Sequence, residues 1–259
     1  MKSSRSLFIL IFTVASIFTI QTACAQDRAW HPEDTEFYEP VPPVVRAVPA
    51  FLTPPDDAVI LFDGSDFSNW TSVRGGDVEW ELENGVMTVN PGSGNIVTTE
   101  SFGSVQLYLE WRTPAEIIGD GQGRGNSGVF LQRRYEVQIL DSYENETYVN
   151  GMAGSIYKQY VPYVNAAMPP GEWQSYNIIF EAPLFSENGN VEKPGFLTVF
   201  WNGVLVHHNA ELEGPTRYIG LPEYSAHGDD GIMLQDHGDL VSFRNIWLRK
   251  LDESPVWGE

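Results

Sequence analysis

The sequence has almost no cysteine. Cys24 is the single cysteine among 259 residues, and it lies in an N-terminal leader. A framework of disulfides is therefore excluded, and an apolar core has to hold the fold together. Hydrophobic residues make up 42% of the chain, which is long enough for one sizeable domain.

Basic residues are also scarce. The chain has 15 Lys and Arg against 35 Asp and Glu, a formal net charge of -20, and loss of Lys2 and Arg5 with the leader makes it -22. A surface this acidic repels phosphate backbones and anionic lipids, which argues against nucleic acid or an anionic membrane as a partner. It fits a protein that acts on a neutral ligand.

One apolar run stands out, from Leu7 to Ile20, and it is too short to span a membrane comfortably. Positive charge before it and small residues after it predict a signal peptide over residues 1–25, cleaved after Ala25. Lipid attachment at Cys24 is the alternative, but Gln21 stands where lipoprotein signals usually carry an aliphatic residue. We expect an exported protein, in the periplasm or at the cell surface, inserted in no membrane beyond that lipid anchor.

The remaining chain predicts one all-β domain. Residues 26–57 are rich in proline and read as an extended tether or a surface strap. From residue 58 to 252, short β-rich runs alternate with Gly, Asn, Asp and Pro clusters, and Asn202-Gly203 is a strong hairpin signal. This pattern indicates a jelly-roll β-sandwich of two antiparallel sheets, followed by a tail at 253–259.

The segment Tyr135–Asp141 carries the first candidate site residues. In a strand, Glu136 and Gln138 share one face while apolar residues occupy the other. A bulge would bring Asp141 to the polar face, which would place two carboxylates beside an amide. That set suits acid/base chemistry on a sugar, although a solvated outer face would give the same pattern.

Two further segments also place polar side chains on one face of a predicted strand. Tyr108, Glu110 and Arg112 share a face in one predicted strand, and Gln235 and His237 share a face in another. An aromatic ring beside charged groups fits a sugar-binding groove. The alternatives are an exposed ion pair between Glu110 and Arg112 and a capped turn around His237.

No metal site is indicated. The sequence has no spacing of His or Cys that is typical of zinc. Asp229 and Asp230 could hold calcium through their oxygens, but solvated loop charge explains them equally.

An ordered set of motifs spans the predicted domain. They are Leu61-Phe62-Asp63-Gly64, Trp80-x-x-Glu83-Asn84-Gly85-Val86, Leu109-Glu110-Trp111-Arg112, Asn126-Ser127-Gly128-Val129-Phe130, Tyr135–Asp141, Gly154-Ser155-Ile156-Tyr157, Pro170-Gly171-Glu172-Trp173, Asn202-Gly203, Gln235-Asp236-His237-Gly238 and Val241–Trp247. In this ordered set the chain resembles the secreted 3-keto-disaccharide hydrolase family, which has a concanavalin-like jelly-roll fold.

The resemblance implies cleavage of glycosides that carry a ketone at C3. Such a ketone acidifies the C2 hydrogen, so that a base can form an enolate, the group on C1 can leave, and water can add. Hydrolysis by two opposed carboxylates is the alternative route. A noncatalytic carbohydrate-binding module of the same fold is the alternative function.

For the keto-glycoside route we assign a role to each candidate residue. Glu136 or His237 would be the base, Asp141 the acid or a supporting group, and Arg112 or a bound cation the partner of the enolate oxygen. Residues expected to bind substrate are Gln138, Glu110, Asn126, Tyr108, Tyr157 and Gln235. The expected partner is an oligosaccharide or glycoside, and no cofactor is expected unless calcium binds.

Overall fold

The computed structural model describes residues 29–41 and 53–251, and strands dominate it. The predicted signal peptide, Cys24 and the 253–259 tail lie outside the described residues. Short 3-10 helices cover Pro32–Thr35, Gly121–Gly123 and Val149–Gly151. The strands are β1 Val59–Phe62, β2 Trp70–Ser72, β3 Glu81–Glu83, β4 Val86–Thr88, β5 Ile96–Thr98, β6 Val105–Arg112, β7 Ser127–Leu131, β8 Tyr135–Ile139, β9 Gln174–Glu181, β10 Leu184–Phe185, β11 Val191–Lys193, β12 Phe196–Trp201, β13 Val204–Glu211, β14 Met233–Leu234 and β15 Ser242–Lys250.

The strands form two main sheets. The larger has eight strands in the order β13-β12-β9-β6-β15-β4-β3, with β1 also paired to β15. The smaller has five strands in the order β2-β5-β14-β7-β8, and β10 and β11 form a separate ribbon. The strand pairings within both sheets are antiparallel. The predicted all-β jelly-roll sandwich is confirmed.

The apolar core lies between the sheets. Leu107, Leu109 and Trp111 face it from the larger sheet, and Val137 and Ile139 from the smaller one, all fully buried. Because side chains alternate along a strand, the residues between them point outward. Full burial of each large apolar side chain contributes about 1.5–3 kcal/mol, so this core can hold the fold without disulfides.

Local turn chemistry joins the strands as the sequence predicts. Asn202 and Gly203 both have positive φ, at 51° and 76°, and connect β12 to β13. This backbone twist matches that of the flanking strands, and Asn-Gly adopts it readily. Among the described residues no helix is long and apolar enough to cross a membrane.

Residues 29–41, which we call the N-terminal strap, lie against the domain. The Val149 amide donates to the Phe37 carbonyl at 2.6 Å, and the Asn150 side chain bonds the strap twice. This part of the predicted tether therefore has a defined place on the sandwich.

Candidate active site

The β7–β8 hairpin presents a carboxyl group on the outer face of the smaller sheet. Phe130 pairs with Glu136 and Gly128 with Gln138 in the strand register. The three-residue connection at 132–134 places Gln132 and Arg133 at φ 49° and 57°, and the Arg134 amide donates back to the Leu131 carbonyl at 3.0 Å. With Val137 in the core, alternation sends Glu136 and Gln138 outward, as their spacing predicts.

A cavity of about 550 Å³ covers this face. Loops around the hairpin, the segment after β14 and the N-terminal strap supply its walls. The lining residues are Glu36, Gln122, Asn126, Phe130, Glu136, Gln138, Tyr148, Tyr157, Thr216, Tyr218, Gln235 and His237. Of the ten site residues predicted from the sequence, the cavity gathers six: Glu136, Gln138, Asn126, Tyr157, Gln235 and His237.

Glu136 is the buried acid of the cavity. Glu136 is only 5% exposed, and burial raises the pKa of its carboxyl to about 8. Desolvation disfavours the charged form, so this carboxyl carries its proton at neutral pH. The group is therefore suited to donate a proton to a sugar oxygen.

Carboxamides surround that carboxyl. Gln138 lies 2.9 Å from Glu136 Oε1 in the amide orientation that donates to it. In the opposite amide orientation, Gln138 Nε2 donates instead to Gln122 Oε1 and Asn126 Oδ1, at 3.3 Å each. The Asn126 backbone is held in turn, because its amide donates to Asp239 Oδ2 at 2.8 Å. These amides offer both donors and acceptors, which is what the hydroxyls of a sugar need.

Two tyrosines form a second wall. The hydroxyls of Tyr148 and Tyr157 lie 2.7 Å apart. Burial raises the pKa of both, that of Tyr157 to about 12, so both remain neutral hydroxyls. The Nζ of Lys158 lies 4.8 Å from the centre of the Tyr218 ring, behind this wall.

His237 stands at the exposed rim. The turn before it is fixed by Asp236, whose Oδ2 accepts from the amides of Gly92 and Gly94 at 2.8 Å each. The capped turn that was the alternative interpretation of this segment therefore forms, and Asp236 is the residue that fixes it. His237 itself lines both the main cavity and a shallow neighbouring depression beside Arg74. An imidazole at this junction can reach a ligand that extends from one to the other.

Asp141 does not join Glu136. The strand ends at Ile139, and the Asp141 amide donates to the Arg124 carbonyl instead of continuing the ladder. Its Oδ2 accepts from Arg124 Nε at 2.7 Å, and both side chains are buried. Asp141 lines a separate cavity of about 380 Å³. The predicted bulge that would bring it to the polar face is absent.

Tyr108, Glu110 and Arg112 do not reach the cavity either. They do share a face, but it is the outer face of the larger sheet, with the core between it and Glu136. Glu110 accepts from Arg244 Nε at 2.6 Å and from Tyr108 at 3.2 Å, and the Arg112 guanidinium lies 4.7 Å from the Trp173 ring. The expected convergence of these three residues with Glu136 is therefore wrong.

Of the two aspartates considered for calcium, Asp230 is paired with arginines. Within 29–41 and 53–251, no group of three His, Cys, Asp or Glu residues is arranged to hold an ion. Asp230 pairs with Arg134 at 2.7 Å and lies 3.8 Å from Arg133, which leaves its oxygens satisfied by cations. His207 is buried, which lowers its pKa to about 4, and it contacts the Gly154 carbonyl at 2.8 Å.

Sequence reasoning missed six of the twelve lining residues: Phe130, which lies in the hairpin itself, and five residues from other segments. Gln122, Tyr148, Thr216 and Tyr218 come from loops without periodicity, and Glu36 comes from the segment read as a tether. No spacing links these positions to the hairpin. Thr216 is held there by the hairpin, because its hydroxyl accepts from the Glu136 amide at 3.0 Å.

Comparison with known proteins places these features in a family. A crystal structure of a candidate glycosyl hydrolase from Parabacteroides distasonis is 49% identical, with a TM-score of 0.76, covering 85% of this chain and 96% of that one. A second from the same organism is 24% identical, with a TM-score of 0.56 over 75% of this chain and 94% of that one, and shows the fold alone. A 3-keto-disaccharide hydrolase of Bacteroides thetaiotaomicron is 24% identical over 238 residues, 76% of this chain and 79% of the relative.

The sequence profile of a described family also matches this chain. The profile of the 3-keto-alpha-glucoside-1,2-lyase-like domain matches residues 57–249, nearly the whole sandwich. That range includes the hairpin with Glu136 and the segment with His237. The chain therefore belongs to the 3-keto-alpha-glucoside-1,2-lyase-like family.

Proposed function

We propose that this protein is an exported enzyme that cleaves glycosides oxidised to a ketone at C3 of the sugar. Family membership and relatives named as hydrolases support a carbohydrate-active enzyme. One observation carries the finer proposal: a buried Glu136 that is protonated at neutral pH stands among amides and hydroxyls in a cavity with an imidazole at its rim.

The ketone determines what the site has to do. A base removes the proton on C2, and the electron pair passes into the carbonyl to give an enolate at O3. The enolate re-forms the ketone as the C1–O bond breaks, and the departing oxygen takes a proton from an acid. The product is an enone with a C1=C2 double bond. Water adding oxygen at C1 and hydrogen at C2 completes a net hydrolysis.

The cavity offers a group for each step. His237 is the proposed base, because a ring nitrogen of a neutral imidazole accepts a proton and this ring is exposed at the rim of the cavity. Glu136 is the proposed acid toward the leaving oxygen, because burial keeps it protonated. The hydroxyl of Tyr157 and the carboxamides of Gln138 and Asn126 are the donors available to the enolate oxygen. They take the role that the sequence suggested for Arg112.

Deuterium labelling tests the route. Residues 26–259 are incubated in deuterated water with 3-keto-disaccharides and with their unoxidised parents. The masses of the released sugars are then measured by mass spectrometry. We expect release from the keto substrates alone, with deuterium at C2. Free 3-keto-glucose in the same buffer controls for exchange without enzyme, and Glu136→Gln is the matched inactive variant.

Other outcomes have definite meanings. Release without deuterium would indicate direct hydrolysis by carboxylates and would overturn the elimination route. Saturable binding without release from any substrate would favour the noncatalytic carbohydrate-binding module. Equal release from unoxidised sugars would show that the ketone is not used.

The exported location is part of the proposal and rests on the leader of residues 1–25. The intact mass of the protein recovered from its native cells would decide between its two forms. A polypeptide that begins at Gln26 indicates simple cleavage, whereas an acylated N-terminal Cys24 indicates a lipoprotein.

A further inference from the structure

The N-terminal strap supplies the second carboxylate of the cavity. Among the twelve lining residues only Glu36 and Glu136 are acidic, and Asp141, the predicted partner, lies elsewhere. Glu36 also lies outside residues 57–249, the range that matches the family profile. One wall of this site is therefore built by a segment that precedes the matched domain.

Buried partners fix the strap in place. Asn150 is fully buried, and its side chain donates to the Thr35 carbonyl at 2.8 Å and accepts from the Phe37 amide at 3.0 Å. The two bonds bracket Glu36 on both sides. Without the strap this buried carboxamide would lose both partners, which is costly. The position of Glu36 at the cavity is thus set by the fold.

The environment of Glu36 differs from that of Glu136. Its Oε1 lies 3.6 Å from the Nζ of Lys158, and its Oε2 accepts from the Tyr38 hydroxyl at 3.0 Å. Glu136 has no cation beside it among the described residues. A carboxylate paired with an ammonium is an acceptor of hydrogen bonds, and charged acceptors bind hydroxyl donors more strongly than neutral ones.

We propose that Glu36 is a substrate-binding residue that accepts a hydrogen bond from one hydroxyl of the sugar held over Glu136. The inference rests on the proposed function only in that the cavity holds a sugar. Glu36 is paired with the ammonium of Lys158, accepts from the Tyr38 hydroxyl and acts as an acceptor that orients the ring. The two carboxyl groups thereby take different tasks, one donating a proton and the other selecting and holding the sugar.

Binding to unoxidised sugars tests this without requiring turnover. Methyl α-glucoside and its monodeoxy analogues are titrated by calorimetry into the wild type, into Glu36→Gln and into Glu33→Gln, an exposed glutamate of the same strap that lines no cavity wall. All titrations are made at a temperature at which each variant is folded. We expect Glu36→Gln to weaken binding of the parent about fivefold or more, and Glu33→Gln to leave it unchanged.

The monodeoxy analogues show whether Glu36 contacts a sugar hydroxyl directly or only stabilises the cavity wall. We expect one analogue to bind the wild type and Glu36→Gln equally, because it lacks the hydroxyl that Glu36 would bind. An equal loss for every analogue, or no loss for the parent, overturns the inference. A wild type that binds but never cleaves 3-keto-glycosides overturns the proposed function and leaves this inference standing. A wild type that binds none of the sugars overturns the inference.

Discussion

The carboxyl group of Glu136 fills the space above Gly128, on the neighbouring strand of the hairpin. A Cβ built on Gly128 would overlap Glu136 Oε1 and would lie 2.9 Å from the Phe130 ring. Gly128 sits opposite Gln138 in the register, on the cavity side of the sheet. The glycine therefore serves the site by leaving room for the acid.

Replacing that glycine should damage the site more than the fold. Gly128→Ala pushes the Glu136 carboxyl away from its position, and we expect turnover to fall about tenfold or more while overpacking costs about 1–3 kcal/mol of unfolding free energy. Steady-state rates and denaturant unfolding measure the two effects. Gly228→Ala is the matched control, because a Cβ there meets nothing within 4 Å. Full activity in Gly128→Ala would contradict the assigned position of the acid.

The pH dependence of the rate should report the acid. Burial raises the pKa of Glu136 to about 8, so the protonated form is lost as the pH rises through that value. We expect kcat/KM for a 3-keto-disaccharide to decline above about pH 8 with the slope of one ionisation. Glu136→Gln should lower the rate by about 10²–10⁴-fold and remove that decline. A decline that persists in the variant would assign it to another group.

The same shift should make the protein less stable as the pH rises. The pKa of Glu136 is about 8 in the folded state and 4.5 for the ordinary group. The folded state thus binds more protons between these values, and its stability decreases across that window. We expect the unfolding free energy of Glu136→Gln to exceed that of the wild type by about 2–4 kcal/mol near pH 8. Near pH 4 the two unfolding free energies should differ little. Urea unfolding at a series of pH values measures the difference, and a constant difference would contradict the raised pKa.

The alternation of apolar residues predicts much of the fold. Leu107, Leu109 and Trp111 were expected on one face, and all three are in the core. The short strand Trp70–Ser72 and the β10–β11 ribbon were not anticipated from the sequence. Short strands carry too few residues to show a period of two, so they leave no clear pattern.

The site was predictable only in part, for a physical reason. Alternation tells which residues share a face of one strand, and it placed Glu136 beside Gln138. It does not tell which sheet a strand joins, so it grouped Glu110 with them across the core. Glu36 reaches the cavity through the bonds of Asn150 to the strap, a contact between segments more than one hundred residues apart. No local pattern encodes such a contact.

The ion pair between Asp141 and Arg124 should matter for stability and not for catalysis. Both side chains are buried, and Arg124 also donates to the Tyr143 carbonyl at 2.9 Å. Asp141→Asn leaves the guanidinium without its counter-charge, and we expect a loss of about 3 kcal/mol or more of unfolding free energy. Turnover per folded molecule should stay within about twofold, because Asp141 lines a different cavity from Glu136.

The control is Asp57→Asn, which removes an exposed partner of Arg249. Solvent screens that pair, so the unfolding free energy should hardly change. Thermal and urea unfolding, together with rates corrected for the folded fraction, separate the two effects. If Asp141→Asn remained as stable as the wild type but lost turnover, Asp141 would have to act in the reaction, and the assignment of Glu136 as the acid would need revision.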